Sequence, residues 1–581
     1  MGRRATSRDF WGDAQIAWLL ALVLAAAWSW RDWSDLTALR LPDTDDVMRL
    51  QQVRDWLGGQ AFSDMSQHRL GIGLPMHWSR LADLAPAALI GLFSPIVGRH
   101  AAEVVAVIAW PTLLFAAALT ITASIARTLG GTSVARTALV VAAIAYPATT
   151  LFMPGRIDHH GFQIVLALGI VRLLLKRPRM GSGFLIGMLS VASLVIGMET
   201  LPFLLIAGAL MLVEWLRGEE ERMRGYAVAL VLGLGLARLV FATEQWDFDG
   251  CDGFTRIAWR AASVAACVPV VLTLAGSRLR GIPMRGTLAA IAGAAGFAAL
   301  FTAAPQCFSP YGNVDPLLAR LWLAHVGEAR PLFHAPIGVA IGYAGVLAAG
   351  IAAGVWRLLR TREWGWAVLL AFQLASLALT VTQLRGAYLG AILAAPALAA
   401  AIAAARAQGS GWLVGAWLAS AGMLYPLAAD ALAAAPARNK LARPAEDSCT
   451  SSPALRMLAS LPRGRILSPV DLGAYALAET THDVVAAPYH RNNAGNSAMY
   501  RFFLGNPEQA AKIARVWRVD YVVLCADSFD ELGMTVATDR THMIGLLRAA
   551  EPPYWLRRVQ TGRENPMVFA TDRLSDSGTR R

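Results

Sequence analysis

The 581-residue chain is short of charge, of cysteine and above all of lysine. Charged residues make up 16% of it, where soluble domains carry roughly a quarter. That shortage, beside a 56% hydrophobic content and a mean hydropathy of +0.46, excludes a disordered chain, a collagen-like repeat and an ordinary cytosolic enzyme. Of the 52 basic residues only Lys176, Lys440 and Lys512 are lysines. Five cysteines are too few for a disulfide scaffold. No serine-nucleophile elbow, phosphate-binding loop, dinucleotide fingerprint or CxxC pair stands out.

Long apolar runs take the place of charge. A membrane-spanning helix needs about 20 mostly apolar residues. Such runs fall near 12–30, 101–126, 134–153, 161–175, 182–198, 200–216, 225–243, 256–275, 286–304, 336–356, 365–382, 387–405 and 411–432. The chain is therefore expected to be a mainly α, polytopic membrane protein with about 13 spans. The first run is not a cleaved signal, because many spans follow it. Basic residues cluster in the gaps: Arg3, Arg4 and Arg8; Lys176, Arg177 and Arg179; Arg217, Arg222 and Arg224; Arg278, Arg280 and Arg285; Arg357, Arg360 and Arg362. With the N-terminus inside, all of these gaps fall on the cytoplasmic side, as the positive-inside rule requires. The net charge of +12 then needs no nucleic-acid partner. An odd number of spans leaves the C-terminus outside.

The expected division is a transmembrane region, 1–440, and an extracytoplasmic α/β domain, 441–581. Residues 31–100 form a long first outer loop, with a short apolar piece at 84–97 expected to lie re-entrant or on the surface. In the tail, Gly464-Arg465-Ile466-Leu467 and Val519-Asp520-Tyr521-Val522-Val523-Leu524 read as strands. Asn506 and Pro507 open a capped helix. Cys251, Cys307, Cys449 and Cys525 all fall on the outer side, where disulfides persist. The expected pairs are Cys251 with Cys307 and Cys449 with Cys525, while Cys267 in an apolar run reads as a small core residue.

Carboxylates crowd the outer loops. Asp43, Asp45 and Asp46 lie within four residues after the first span. They suit a hard divalent cation, or equally a helix N-terminus. Between the third and fourth spans, Asp158, His159 and His160 pack into a very short loop, where ionisable groups are costly without partners. Asp158 and His160 suit one metal from a turn, or Asp158 a helix cap. The 243–256 loop is acidic and aromatic but matches no ligand spacing. Glu328 and Arg330 lie in a later outer loop, and Arg385 opens the twelfth span. In the tail, Asp471 follows a strand and His490-Arg491-Asn492 forms a turn.

In this order the features resemble the catalytic subunit of oligosaccharyltransferase, a membrane glycosyltransferase of GT-C type, along nearly the whole chain. That family's first outer loop carries a pattern like DPxxxxR; Asp43 and Arg49 keep its spacing, with Asp45 or Asp46 as alternates, and the proline is missing. Its short DxD or DxE motif is similar to Asp158-His159-His160, with histidine in the third place and His159 as a further alternate. A glutamate in a stretch like SEHQP matches Glu328, and an arginine that binds the donor phosphate matches Arg385. WWDYG is kept only as Asp471 and Gly473, without the tryptophans that hold the Ser/Thr of the Asn-x-Ser/Thr sequon.

The resemblance implies a GT-C-like fold in the bacterial inner membrane, with the C-terminal domain periplasmic. It implies Asp43, Asp158 and Glu328 as catalytic residues, joined by His160 around a Mn²⁺ or Mg²⁺ ion. Arg385 would bind donor phosphate, and Asp471, His490, Arg491 and Arg330 would meet the acceptor. The donor would be a sugar on a polyprenyl phosphate or pyrophosphate. The acceptor, a glycan, glycolipid or protein, would not be the sequon. A sequon-specific enzyme with a divergent acceptor pocket, a lipid or sugar transporter and an inactive scaffold are the alternatives.

Overall fold

The computed structural model describes residues 7–309, 313–432, 448–560 and 565–572. The chain forms two compact units. A membrane unit comprises Met1–Leu39, His77–Pro310 and Gly327–Ala435; an α/β unit comprises Arg40–Met76, Tyr311–Val326 and Pro436–Arg581. Pieces of two outer loops thus belong with the C-terminal region, while the expected boundary at 440/441 lies outside the described residues, as do Arg3 and Arg4.

The apolar runs become helices, since a backbone in hydrocarbon must satisfy its own hydrogen bonds. Among the described residues nine helices are long and apolar enough to cross a membrane. Three shorter apolar helices, His160–Leu174, Met180–Ile196 and Leu201–Leu216, join them. Arg99–Ala143 is two helices merged across Gly131, whose φ of 77° only glycine adopts readily. The last run is broken into Ser410–Ser420 and Leu424–Leu432. Each of the thirteen apolar runs falls on helix, two of them on Arg99–Ala143, although several of these helices are shorter than a full span.

Three expectations are refined. The piece at 84–97 belongs to an 18-residue helix, Arg80–Val97, so length does not keep it from crossing a membrane. Its start is fixed by Ser79, whose hydroxyl accepts from the Leu81 N–H at 3.2 Å, and by the buried Arg80–Asp83 pair at 3.3 Å. The run at 134–153 stops as a helix at Ala143, ahead of Pro147. There the chain meets the other break: a Cβ on Gly422 would stand 2.8 Å from Tyr146 N, so the contact needs glycine. Cys267 is exposed on its helix rather than in the core.

Helix Ala387–Ala405 forms the centre of the membrane unit and is buried along most of its length. Its alanines let neighbouring backbones approach; Gln373 adds a 3.0 Å hydrogen bond from Nε2 to the Leu393 carbonyl. Cys251 and Cys307 are joined, with Cα atoms 4.8 Å apart.

The α/β unit carries a small antiparallel pair, β1 (Ser66–Gln67) with β2 (Leu74–Pro75). Its main sheet contains β3 (Arg465–Leu467), β4 (Asp483–Val484), β5 (Tyr521–Leu524), β6 (Leu556–Arg558) and β7 (Met567–Thr571), in the order β4-β3-β5-β7-β6. β4, β3 and β5 are parallel, and β7 is antiparallel to both β5 and β6. The two sequence-predicted strands are β3 and β5, and the helix expected after Asn506 is Pro507–Val516. Leu70 bridges Val484, so the 40–76 segment extends the β4 edge. Leu318 and Trp322, from the 311–326 segment, join Phe502, Phe503 and Val522 in the core. Cys449 and Cys525 are joined across 76 residues.

Candidate functional site

Two groups of ionisable side chains stand out, one in each unit. In the membrane unit the short loop before His160–Leu174 is organised by Asp158. Its Oδ1 accepts the His160 N–H at 3.0 Å, which starts the helix. Its Oδ2 accepts from Arg156 Nη2 at 2.6 Å. Burial opposes the charge on Asp158, but Arg156, His160 and His159 outweigh it and hold the carboxyl well below the ordinary carboxylate range. His159 lies 3.2 Å from Glu199 Oε1, and Gln163 Nε2 donates to Glu199 Oε2 at 3.0 Å.

A second pair of loops reaches the same cluster. The Leu384 N–H donates to the Arg330 carbonyl at 3.0 Å, tying the Glu328 loop to the Arg385 loop. The Tyr388 hydroxyl lies 3.3 Å from Glu328 Oε2, and Arg385 Nε donates to Gln383 Oε1 at 2.8 Å. His160 is within electrostatic reach of Asp158, Glu328, Glu199 and Arg385. The membrane unit thus brings together Asp158, His159, His160, Glu328 and Arg385. Arg330 contributes its backbone to that loop pair.

Glu199, Arg156 and Tyr388 were not among the expected site residues. Glu199 had a signal: it is the single carboxylate in the gap between the runs 182–198 and 200–216. Tyr388 had none, because a tyrosine near a span end usually marks the membrane interface.

In the α/β unit, Asp43 is the N-cap of helix Thr44–Leu57, its side chain accepting the Asp45 N–H at 3.0 Å, with Asp45 and Asp46 in the first turn. Tyr489 and Tyr475 hydrogen-bond the same segment, through Thr44 O at 2.9 Å and Leu41 O at 3.1 Å. Burial, together with Asp43 and Asp46, pushes the Tyr475 phenol up to about 12.

Parallel strands that part company leave a crevice at their carboxyl ends. From β3 the chain moves to one side, to β4, and then back across to β5. At the ends of β3 and β5 lies a cleft of about 360 Å³. Asp471, Tyr500, Asp527, Ser528 and Glu531 line it, with the Cys449–Cys525 bridge in its wall. Asp471, Asp527 and Glu531 are exposed to the cleft, and none is hydrogen-bonded or ion-paired through its side chain among the described residues. Burial, then Glu531 and Asp43, raises the Asp471 carboxyl above its ordinary value. His490 and Arg491 do not line the cleft. Arg491 is buried and donates to the Pro75 carbonyl at 3.3 Å.

Among the described residues no three His, Cys, Asp or Glu side chains are grouped closely enough to hold a metal ion. Asp158 and His160 nonetheless form a carboxylate–imidazole pair on one turn, a donor set suited to Zn²⁺ or Mn²⁺.

The chain has an oligosaccharyltransferase-like fold, with many long apolar helices and a small sheet region towards its C-terminus. It is a multi-pass membrane protein. Archaeal oligosaccharyltransferase AglB from Archaeoglobus fulgidus, in complex with an inhibitory peptide and a dolichol-phosphate, is similar at TM-score 0.63 and 16% identity, over 97% of this chain and 74% of that one. The apo form of the Archaeoglobus fulgidus oligosaccharyltransferase is similar at TM-score 0.67 and 17% identity, over 91% and 71%. Its complex with Zn and sulfate is similar at TM-score 0.61 and 16% identity, over 91% and 70%. No protein-family model and no curated protein matches the sequence, so the likeness is one of three-dimensional structure.

Proposed function

We propose that the chain is a glycosyltransferase that takes a sugar from a polyprenyl phosphate or pyrophosphate on the outer face of a bacterial inner membrane. The C-terminal region would then be periplasmic. The observation that carries this reading is the membrane unit's cluster, where Arg156, His159, His160 and Arg385 surround Asp158, Glu199 and Glu328. Cations and carboxylates so interleaved suit a reaction in which negative charge grows on a departing phosphate while a proton leaves the attacking group.

In that reaction the acceptor nucleophile attacks the anomeric carbon. The bond from that carbon to the phosphate oxygen breaks, and its electron pair stays with the phosphate. Arg385 holds the phosphate and stabilises the charge it gains. A carboxylate, Glu328, takes the acceptor's proton. Asp158, held ionised by Arg156, fixes the start of its helix and orients His160. Asp158 and His160 would hold a divalent ion, which when bound would add positive charge beside the leaving oxygen. A structure of similar fold in complex with Zn and sulfate is in keeping with a bound divalent metal.

The acceptor is assigned to the cleft beside Asp471. A structure of similar fold is tethered with an acceptor peptide containing the NVT sequon, which makes a peptide acceptor the second reading. The run Ser468-Pro469-Val470-Asp471-Leu472-Gly473 lacks the paired tryptophans of the sequon pocket, so a glycan, glycolipid or different protein site is the first.

Mass spectrometry of lipid-linked sugars and envelope glycans in a deletion strain tests this. A polyprenyl-linked sugar should accumulate and one glycan should lose a residue, which names donor and acceptor. Unchanged lipid-linked sugars and glycans would contradict it. Transfer to an Asn-x-Ser/Thr peptide by the purified protein would favour the second reading.

A further inference from the structure

At the expected cytoplasmic end of the membrane unit is an apolar groove of about 740 Å³. It lies among helices Ile337–Thr361, Ala387–Ala405 and Ser410–Ser420. Trp356 and Trp412 flank a floor of small residues that includes Ala401, Ala405, Gly411 and Gly415. A Cβ on Gly411 or Gly415 would meet nothing within 4 Å, so the space in front of both is open. Trp412 is 68% exposed, which in a multi-pass protein means exposed to lipid or to the membrane interface.

The charge beside this groove is unbalanced. The Arg357 guanidinium lies over Trp356 at 5.6 Å and Trp366 at 5.2 Å, and its Nε is buried without a hydrogen-bond partner. Arg360, one helical turn beyond Trp356, shares its face and is exposed. Arg357, Arg360, Arg362 and Arg406 make no ion pair among the described residues, and the one acidic residue close to them in sequence is Glu363. In two other basic gaps arginines are paired: Arg222 with Glu214 and Arg224 with Glu220 and Glu221 in one, and Arg285 with Glu220 in the other.

We propose that this groove is a binding site for an anionic phospholipid of the inner leaflet, with an acyl chain between Trp356 and Trp412 and the phosphate at Arg357 and Arg360. The bilayer supplies the apolar chain directly. Unpaired arginines beside an apolar cleft between spans are the pattern that selects anionic headgroups. A zwitterionic lipid would fill the groove equally well but leave the arginines uncompensated. The site rests on the membrane-spanning fold and not on glycosyl transfer, so neither proposal depends on the other.

Native mass spectrometry of the purified full chain, stripped of lipid and titrated with phosphatidylglycerol or phosphatidylcholine, tests the proposal. The wild type should retain phosphatidylglycerol in clear preference. Arg360→Gln, on an exposed side chain, should reduce that preference about fivefold, and adding Arg357→Gln should reduce it about as much again. Gly415→Leu, which projects into open space, should displace both lipids while leaving the melting temperature of the stripped protein unchanged. Equal retention of the two lipids by the wild type would overturn the proposal. So would undiminished phosphatidylglycerol retention by a normally melting Gly415→Leu protein.

Discussion

The cluster around Asp158 and the cleft around Asp471 handle charge in opposite ways. In the first, Asp158 is bound to Arg156, and Glu199 is met by His159 and Gln163. In the second, Asp471, Asp527 and Glu531 line one cleft, and among the described residues no cation pairs with them. A paired cluster is preorganised: its cations are already oriented and cost little to reorganise when a phosphate departs. An unpaired acidic cleft is a cost carried by the folded protein, of the kind recovered when a ligand supplies hydroxyl or ammonium donors. The account therefore gives leaving-group chemistry to the first region and acceptor recognition to the second.

The largest effect should come from breaking the paired cluster. Asp158→Asn keeps an acceptor for the His160 N–H but removes the charge. Sugar release from the lipid donor by purified protein should fall by about a thousandfold or more, with the melting temperature within a few degrees of wild type. Near-normal turnover would remove Asp158 from the chemistry. Glu199→Gln should cost less, about tenfold to a hundredfold, because the amide oxygen can still accept from Gln163 while its NH2 donates to a neutral His159; Glu199→Ala should match the Asp158 variant. A Glu199→Ala enzyme with wild-type rates would make that residue merely structural.

The cleft should respond differently. Asp471→Asn should lower kcat/KM for the acceptor by about tenfold, as expected for one charge-assisted hydrogen bond, while donor hydrolysis in the absence of acceptor stays unchanged. Equal losses in both assays would erase the division between the regions. The smallest effect is on stability. Because the Asp471 carboxyl is raised in the folded state, its contribution is full below the unfolded value, near about 4, and is lost as pH rises through the folded value. Asp471→Asn should therefore melt slightly above the wild type at about pH 7.5, with the gap closing towards about pH 4. A gap that widens on acidification would show that the carboxylate has a partner.

Much of this was legible in sequence wherever polarity alone decides structure. Apolar runs and arginine gaps marked the helices; the side assignment put four cysteines on one face, and the two pairs expected among them are joined. β-branched runs marked β3 and β5. Helix interruptions were less visible: the break at Gly422 depends on a contact with residues 144–146, which no local pattern announces. Among candidate site residues, Asp158 and His160 stood out because ionisable groups in so short a loop between spans are costly, while Glu328 and Arg385 were marked by the family resemblance. Asp527 and Glu531 looked like ordinary loop acids, and only the crossing of the chain between β3 and β5 puts them on one cleft with Asp471. The join of 40–76 and 311–326 to the C-terminal unit is likewise a product of tertiary contacts such as Leu70 with Val484.

The central claim is that the Asp158 cluster transfers a sugar from a lipid carrier. Its most direct test is the amount of polyprenyl-linked sugar in a deletion strain complemented with wild type or with Asp158→Asn, at equal protein levels in the membrane. The account predicts that the wild type clears the accumulated donor and restores the missing glycan residue, while Asp158→Asn leaves both as in the deletion. Full restoration by Asp158→Asn would contradict it.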